Sequence, residues 1–147
     1  MDETSITQYI TDTFAKVETT TAQGYTFFFY GPDRKLPFAT LATQDNDYDR
    51  ASNLNRSSVF RLNIGVSRDT YHSLFGPQPS SPGRDGMIDP GYDFTALDQL
   101  LPHPVYAPQS WVCVLNPSAE TFQTVKSLLA EAYELAVRRQ ARREAQG

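Results

Sequence analysis

Few residues in this chain are of types that carry catalysis or bind metals. There are two histidines, His72 and His103, and one cysteine, Cys113. They show no HxxxH, CxxC or other ligand spacing, so no metal site is expected. Asp45, Asp47 and Asp49 alternate in "DNDYD" as a calcium loop begins. Such a loop also needs a Gly at its sixth position and a Glu at its twelfth, and neither follows. The stretch reads as a solvated acidic loop. GxGxxG, GxxxxGK[ST] and GxSxG do not occur, so neither a phosphate-cradling loop nor a nucleophile elbow is expected. No cofactor is expected.

Cys113 shares a strand face with Trp111 and Leu115, where a cysteine serves as a small buried hydrophobe. Thiol catalysis would also need a base within hydrogen-bond reach, and His103 is the candidate. His103 lies in "LPHPVY" between two prolines that fix its backbone. That suits a ligand contact or an acid–base role, but the favoured reading is a partly exposed histidine bonding a loop carbonyl. An enzymatic reading, with a secondary metabolite as substrate, would use His103, Tyr106 or Tyr30 as acid–base groups. The expectation leans to a protein that is not an enzyme.

Arginines offer a third chemistry. Arg50 and Arg56 in the polar loop, with Arg138 and Arg139 near the C-terminus, form the candidate nucleic-acid surface. The formal charge of −4 and pI near 5.1 weigh against it, because phosphate contacts need clustered cations. The terminal arginines also sit where a helix end favours positive charge. Glu134 precedes Arg138 by four residues, the favourable order for a helical ion pair.

The elements that must position these residues follow from periodicity. Ile6, Ile10 and Phe14 predict a first helix capped at Asp2 or Thr4. "VETTTAQ" leads into an aromatic strand, "GYTFFFYG", and "GPD" marks a turn. "PFATLAT" at 37–43 reads as a second strand, and "QDNDYDRASNLNRSS" as a loop. "FRLNIGVS" at 60–67 is the clearest strand, alternating Phe60, Leu62, Ile64 and Val66 with Arg61, Asn63 and Gly65. Ser67 caps a short second helix that stops at Gly76. Residues 76–93 hold four Pro and four Gly without period, an insert expected to be a loop or lid. "FTALDQLL" predicts a short helix, "VYAP" and "SWVCVLN" two strands, and Asn116-Pro117 the start of a long last helix. The fold class is therefore α+β: a two-layer α-β(3)-α-β(2)-α domain, with an antiparallel sheet and helices on one face.

That architecture leaves a sheet face to explain. Phe60, Leu62, Ile64 and Val66 meet the helices, so Arg61 and Asn63 look to the open side. Beside them stand either Phe28 and Tyr30 or Tyr25, Phe27 and Phe29. Several aromatics left in water would make an unusually large apolar patch. The insert, a second copy in a homodimer, or a ligand is expected to cover them. The candidate binding residues are Arg61, Asn63, Tyr30, Phe28, His103 and Tyr106, with an unknown small molecule or protein as partner.

The chain of 147 residues is the length of one domain, 1–147, with one core. No apolar run approaches the ~20 residues of a membrane span. The polar N-terminus is not a secretory signal, and a lone cysteine forms no internal disulfide, so the cytoplasm is expected.

Three stretches, "KLPFATLAT", "HPVYAPQSWVCVLN" and "ETFQTVKSLLAEAYELAVRR", resemble the YjbR/MmcQ-like proteins. Over nearly its full length the chain more closely resembles a bacterial domain-of-unknown-function family, common in actinomycetes, with the same "GYTFFFYGPD" and "FRLNIGVSR" blocks. The resemblance implies the α-β(3)-α-β(2)-α fold shared with secretion-chaperone-like domains. DNA binding has been proposed for YjbR-like proteins, but no residue motif carries over.

Overall fold

The computed structural model describes residues 1–31, 35–77 and 92–146. Its six strands form one antiparallel sheet of order β1-β2-β3-β4-β6-β5. Helix α1 (Glu3–Thr13) is capped by Asp2, which accepts from the Ser5 amide at 2.8 Å. Ile6 and Ile10 are its fully buried stripe.

Strand β1 (Val17–Ala22) is one strand more than the sequence pattern predicts. It pairs along its whole length with β2 (Tyr25–Tyr30), from Val17 opposite Tyr30 to Ala22 opposite Tyr25. The connection is a two-residue turn, Gln23-Gly24, with φ of 53° and 82°. Positive φ at both positions matches the twist of a hairpin. "VETTTAQ" lacks apolar alternation because β1 is an edge strand exposed along most of its length.

Strand β3 (Ala39–Ala42) pairs with β2 and with β4 (Arg61–Gly65). Helix α2 (Arg68–Phe75) starts at Ser67, whose hydroxyl accepts from the Thr70 amide. Strand β5 is short (Leu100–Pro102) and pairs with β6 (Trp111–Leu115). Two local expectations fail here. "FTALDQLL" is not a helix: Asp98, at φ 58°, donates its amide to the Leu115 carbonyl and leads into β5. "VYAP" is not a strand: a 3-10 turn (Ala107–Gln109) carries the chain into β6.

Helix α3 (Ala119–Gln146) is capped by Ser118, which accepts from the Thr121 amide at 3.2 Å, rather than by Asn116. The Asn116 side chain instead bridges the Phe60 amide and the Ser58 carbonyl.

The three described α-helices pack on one face of the sheet. Ile6, Ile10, Phe28, Leu62, Ile64, Phe122, Val125 and Leu129 belong to that core, and each large side chain buried there contributes about 1.5–3 kcal/mol. A smaller cluster lies on the opposite face, with Ala42, Leu54, Leu101, Cys113 and Leu115 buried and Tyr25 and Val59 against them. Most of the 76–93 insert lies outside the described residues. Its last residues lead to Phe94, which is buried in the helix-side core.

Candidate functional site

The second face is partly closed by the polar loop between β3 and β4. Asp45 ties the loop together: its carboxylate accepts from the Leu54 amide at 2.7 Å, and its own amide donates to Asn55. Arg56 donates to the carbonyls of Ser52, Asn53 and Thr95. Asp45 therefore ties the loop to itself. Among the described residues, no cluster of three or more His, Cys, Asp and Glu is placed to hold a metal ion.

The loop brings Asp49 onto Arg61. Nη1 of Arg61 donates to Asp49 Oδ1 at 3.0 Å and to Ser52 Oγ at 3.0 Å, while Nη2 donates to Asp49 Oδ2. Nε donates to Asn63 Oδ1 at 2.7 Å, and Asn63 in turn donates to Thr40 Oγ1 at 2.9 Å. Arg61 is fully buried. Burial works against its charge, but the bonds to Asp49 and the Asp49 charge outweigh it, so its pKa lies above the ordinary value. A bidentate pair braced by further bonds, here Nη1 to Ser52 and Nε to Asn63, is the form in which a buried arginine is tolerated.

His103 stands at the end of this network, 2 % exposed. Its Nδ1 accepts two backbone bonds, from the amides of Val105 and Tyr106, both at 3.0 Å. Burial, followed by the Arg61 charge, holds its pKa well below the ordinary value, so the ring is neutral. A neutral imidazole whose Nδ1 is an acceptor carries its proton on Nε2. These two bonds also tighten the turn that replaces the expected "VYAP" strand.

Two cavities open over the network. One, about 450 Å³, is polar at its rim, with Gln23, Gln44, Asn46, Tyr25 and Asp49 in its wall. Burial and the Asp49 charge push the Tyr25 hydroxyl up to about 12. The other, about 460 Å³, is walled by Leu36, Pro37 and Trp111, with Thr40 and His103 among its lining residues. Phe27 and Tyr106 line both, so the two adjoin as neighbouring lobes on the open face. Tyr25, Phe27 and Phe29 stack along the open side of β2, with ring centres 5.9 and 6.3 Å apart.

The candidate residues thus separate into three groups. His103 and Tyr106 line the groove. Arg61 and Asn63 lie beneath it as a buried framework. Phe28 and Tyr30 are on the other side of the sheet: Phe28 is fully buried, and Tyr30 packs edge-on against Tyr133 of α3. The register explains this correction. Phe28 is opposite Ala39, which is in the helix-side core, and parity then sends Tyr25, Phe27 and Phe29 outward. The sequence reading left that choice open and missed Thr40, Asp49 and Ser52. Asp49 had no local signal, because its partner is twelve positions away. Trp111 was legible as a strand residue, but not as a cavity wall.

The arginine surface is not brought together. Arg50 and Arg56 belong to the loop on the open face, whereas Arg138 and Arg139 belong to α3 on the helix face. Arg138 pairs with Glu134 at 3.6 Å. Cys113 is fully buried, and burial pushes its thiol up to about 12. No described helix is long and apolar enough to cross a membrane.

No curated protein matches the chain. A crystal structure of a protein from Pseudomonas syringae is similar to it, at 14 % identity and a TM-score of 0.48, over 92 % of this chain and 99 % of that one. A protein family described as a family of unknown function (DUF6194) matches residues 1–145, and the chain belongs to that family.

Proposed function

We propose that this protein is a non-enzymatic binding module of the YjbR-like type that takes a small, largely apolar ligand in the groove over its open sheet face. The observation that carries this reading is the shared wall of Phe27 and Tyr106. Two half-exposed aromatics divide a concavity of the volume expected for a small-molecule site, with an apolar wall on one side and convergent polar groups on the other. Beneath it, Arg61 and Asn63 spend their polar atoms on one another and on Asp49, Ser52 and Thr40. They hold the floor rigid, the supporting arrangement that a preformed site needs.

An acid–base role for His103 has less support. A general base needs a free lone pair within reach of its substrate. The Nδ1 lone pair is taken by two backbone amides, and Nε2 carries the proton.

The neutral dye Nile red tests the reading, because its emission rises in an apolar pocket. Saturable one-to-one binding is expected, with a change in the emission of Trp111, the only tryptophan. Phe27→Ala should weaken the binding at least about fivefold, the loss of one aromatic contact. No saturable binding, or binding unaffected by Phe27→Ala, overturns the proposal.

A further inference from the structure

The sheet ends on one side at β1, which among the described residues has β2 as its one strand neighbour. The register tells which backbone groups β1 has left. The Gly31 amide donates to the Lys16 carbonyl at 2.6 Å, and the hairpin turn sets Ala22 opposite Tyr25. Residues that exchange bonds alternate along an antiparallel pair. Glu18, Thr20 and Ala22 therefore spend their N–H and C=O groups on β2. The far side of β2 agrees: the Phe28 carbonyl accepts from the Phe38 amide, so Phe28 turns its backbone to β3 and away from Thr19. Val17, Thr19 and Thr21 thus turn theirs to the outer edge. Among the described residues no backbone group is bonded to them there, and the strand is exposed from Glu18 to Ala22.

Natural sheets blunt such an edge by shortness, proline, lysine or a bulge. The opposite edge follows that rule, because β5 is short and ends at Pro102. β1 does not. It holds neither proline nor lysine, and its pairing with β2 runs without a bulge. Its outer side is a template for another extended strand.

A strand taken from a different protein is selected by pockets for its alternate side chains. Along β1 the outward groups stand among small threonines, and the two cavities over the open face reach it only at its last residue, Ala22. Selection is left to register, and a second copy supplies a strand of matching length and spacing. Set antiparallel about a two-fold axis at Thr19, Val17 meets Thr21 of the second copy and Thr19 meets its own counterpart. Every outward N–H and C=O of the strand then has a partner. Glu18 faces Thr20 of the second copy, so no carboxylate lies directly opposite another, the arrangement that would oppose pairing.

We infer that β1 is an interaction surface for a second copy of this chain, the two β1 strands pairing edge to edge into one continuous antiparallel sheet. Paired side chains share a face, so the axis is perpendicular to the sheet and both grooves open on the same side. Edge pairing buries little area, and the dimer therefore forms only at high protein concentration. The inference does not depend on the groove being a ligand site.

Sedimentation velocity over a dilution series tests it. The mass should rise from that of one chain towards that of two as concentration increases. Thr19→Pro removes an outward N–H that β2 does not use. The folded variant should stay monomeric where the parent dimerises. In case that variant fails to fold, hydrogen exchange on the native chain gives an independent reading. The amides of Glu18, Thr20 and Ala22 should exchange slowly at every concentration. Those of Val17, Thr19 and Thr21 should exchange fast in dilute solution and slow down as the dimer forms. A chain that stays monomeric throughout overturns the inference. So does a folded Thr19→Pro that dimerises like the parent, or a dimer in which Val17, Thr19 and Thr21 still exchange fast, since either places the contact on another surface.

Discussion

The guanidinium of Arg61 forks onto the carboxylate of Asp49, with Nη1 3.0 Å from Oδ1 and Nη2 bonded to Oδ2. This pair joins a central strand to the β3–β4 loop, which buried Leu54 and the Asn46–Tyr25 bond also hold on the sheet. Arg61→Met strands a buried Asp49 and should cost about 3–5 kcal/mol. Adding Asp49→Leu should recover part of that loss, because the uncompensated charge goes too. Urea unfolding of the single and double variants measures both steps. A single variant within ~1 kcal/mol of the parent would mean that the pair does not hold the loop.

Neighbouring phenylalanines on β2 should behave in opposite ways. Phe28 is in the helix-side core and Phe27 in the groove wall. Phe28→Ala should cost about 3–5 kcal/mol. Phe27→Ala should cost about 1 kcal/mol and instead reduce dye binding. Thermal melts and Nile red titrations of the two variants check the assignment. Equal losses of stability would contradict the parity of β2.

Cys113 should be inert in the folded protein. It is fully buried, with its thiol pushed up to about 12, whereas alkylation needs an accessible thiolate. Iodoacetamide at pH 8 should add no mass until denaturant is present. Stoichiometric labelling of the native protein would place Cys113 at the surface and undo the register of β6.

Stability should fall as the solution is made mildly acid. The pKa of His103 is depressed in the fold from an ordinary 6.5. Below about pH 6.5, the unfolded chain takes up a proton that the folded ring refuses, so protons favour unfolding. The slope is at most ~1.4 kcal/mol per pH unit for one such group. Melting temperatures between pH 7 and 5 should drop, and should drop less in His103→Gln. An unchanged slope in that variant would assign the effect elsewhere.

Strand parity was written in the residues themselves. The alternation of Leu62 and Ile64 with Arg61 and Asn63 set the two faces of β4, and the helical stripes of α1 and α3 gave one face its cover. The same logic defined two aromatic sets in "YTFFFY" but could not say which turns inward, because both are apolar. Pairing with β3 decided it, by setting Phe28 opposite Ala39. Edge strand β1 was hidden because a strand exposed along most of its length needs no hydrophobic alternation; its pairing along β2 forms it. The site lay deepest. An acid in a polar loop and an arginine on a strand carry no mark of partnership at twelve residues' separation. His103 has no local signal for its buried Nε2–H either. Only the folded chain excludes water from those atoms, and that exclusion turns ordinary polar residues into a rigid floor beneath the groove.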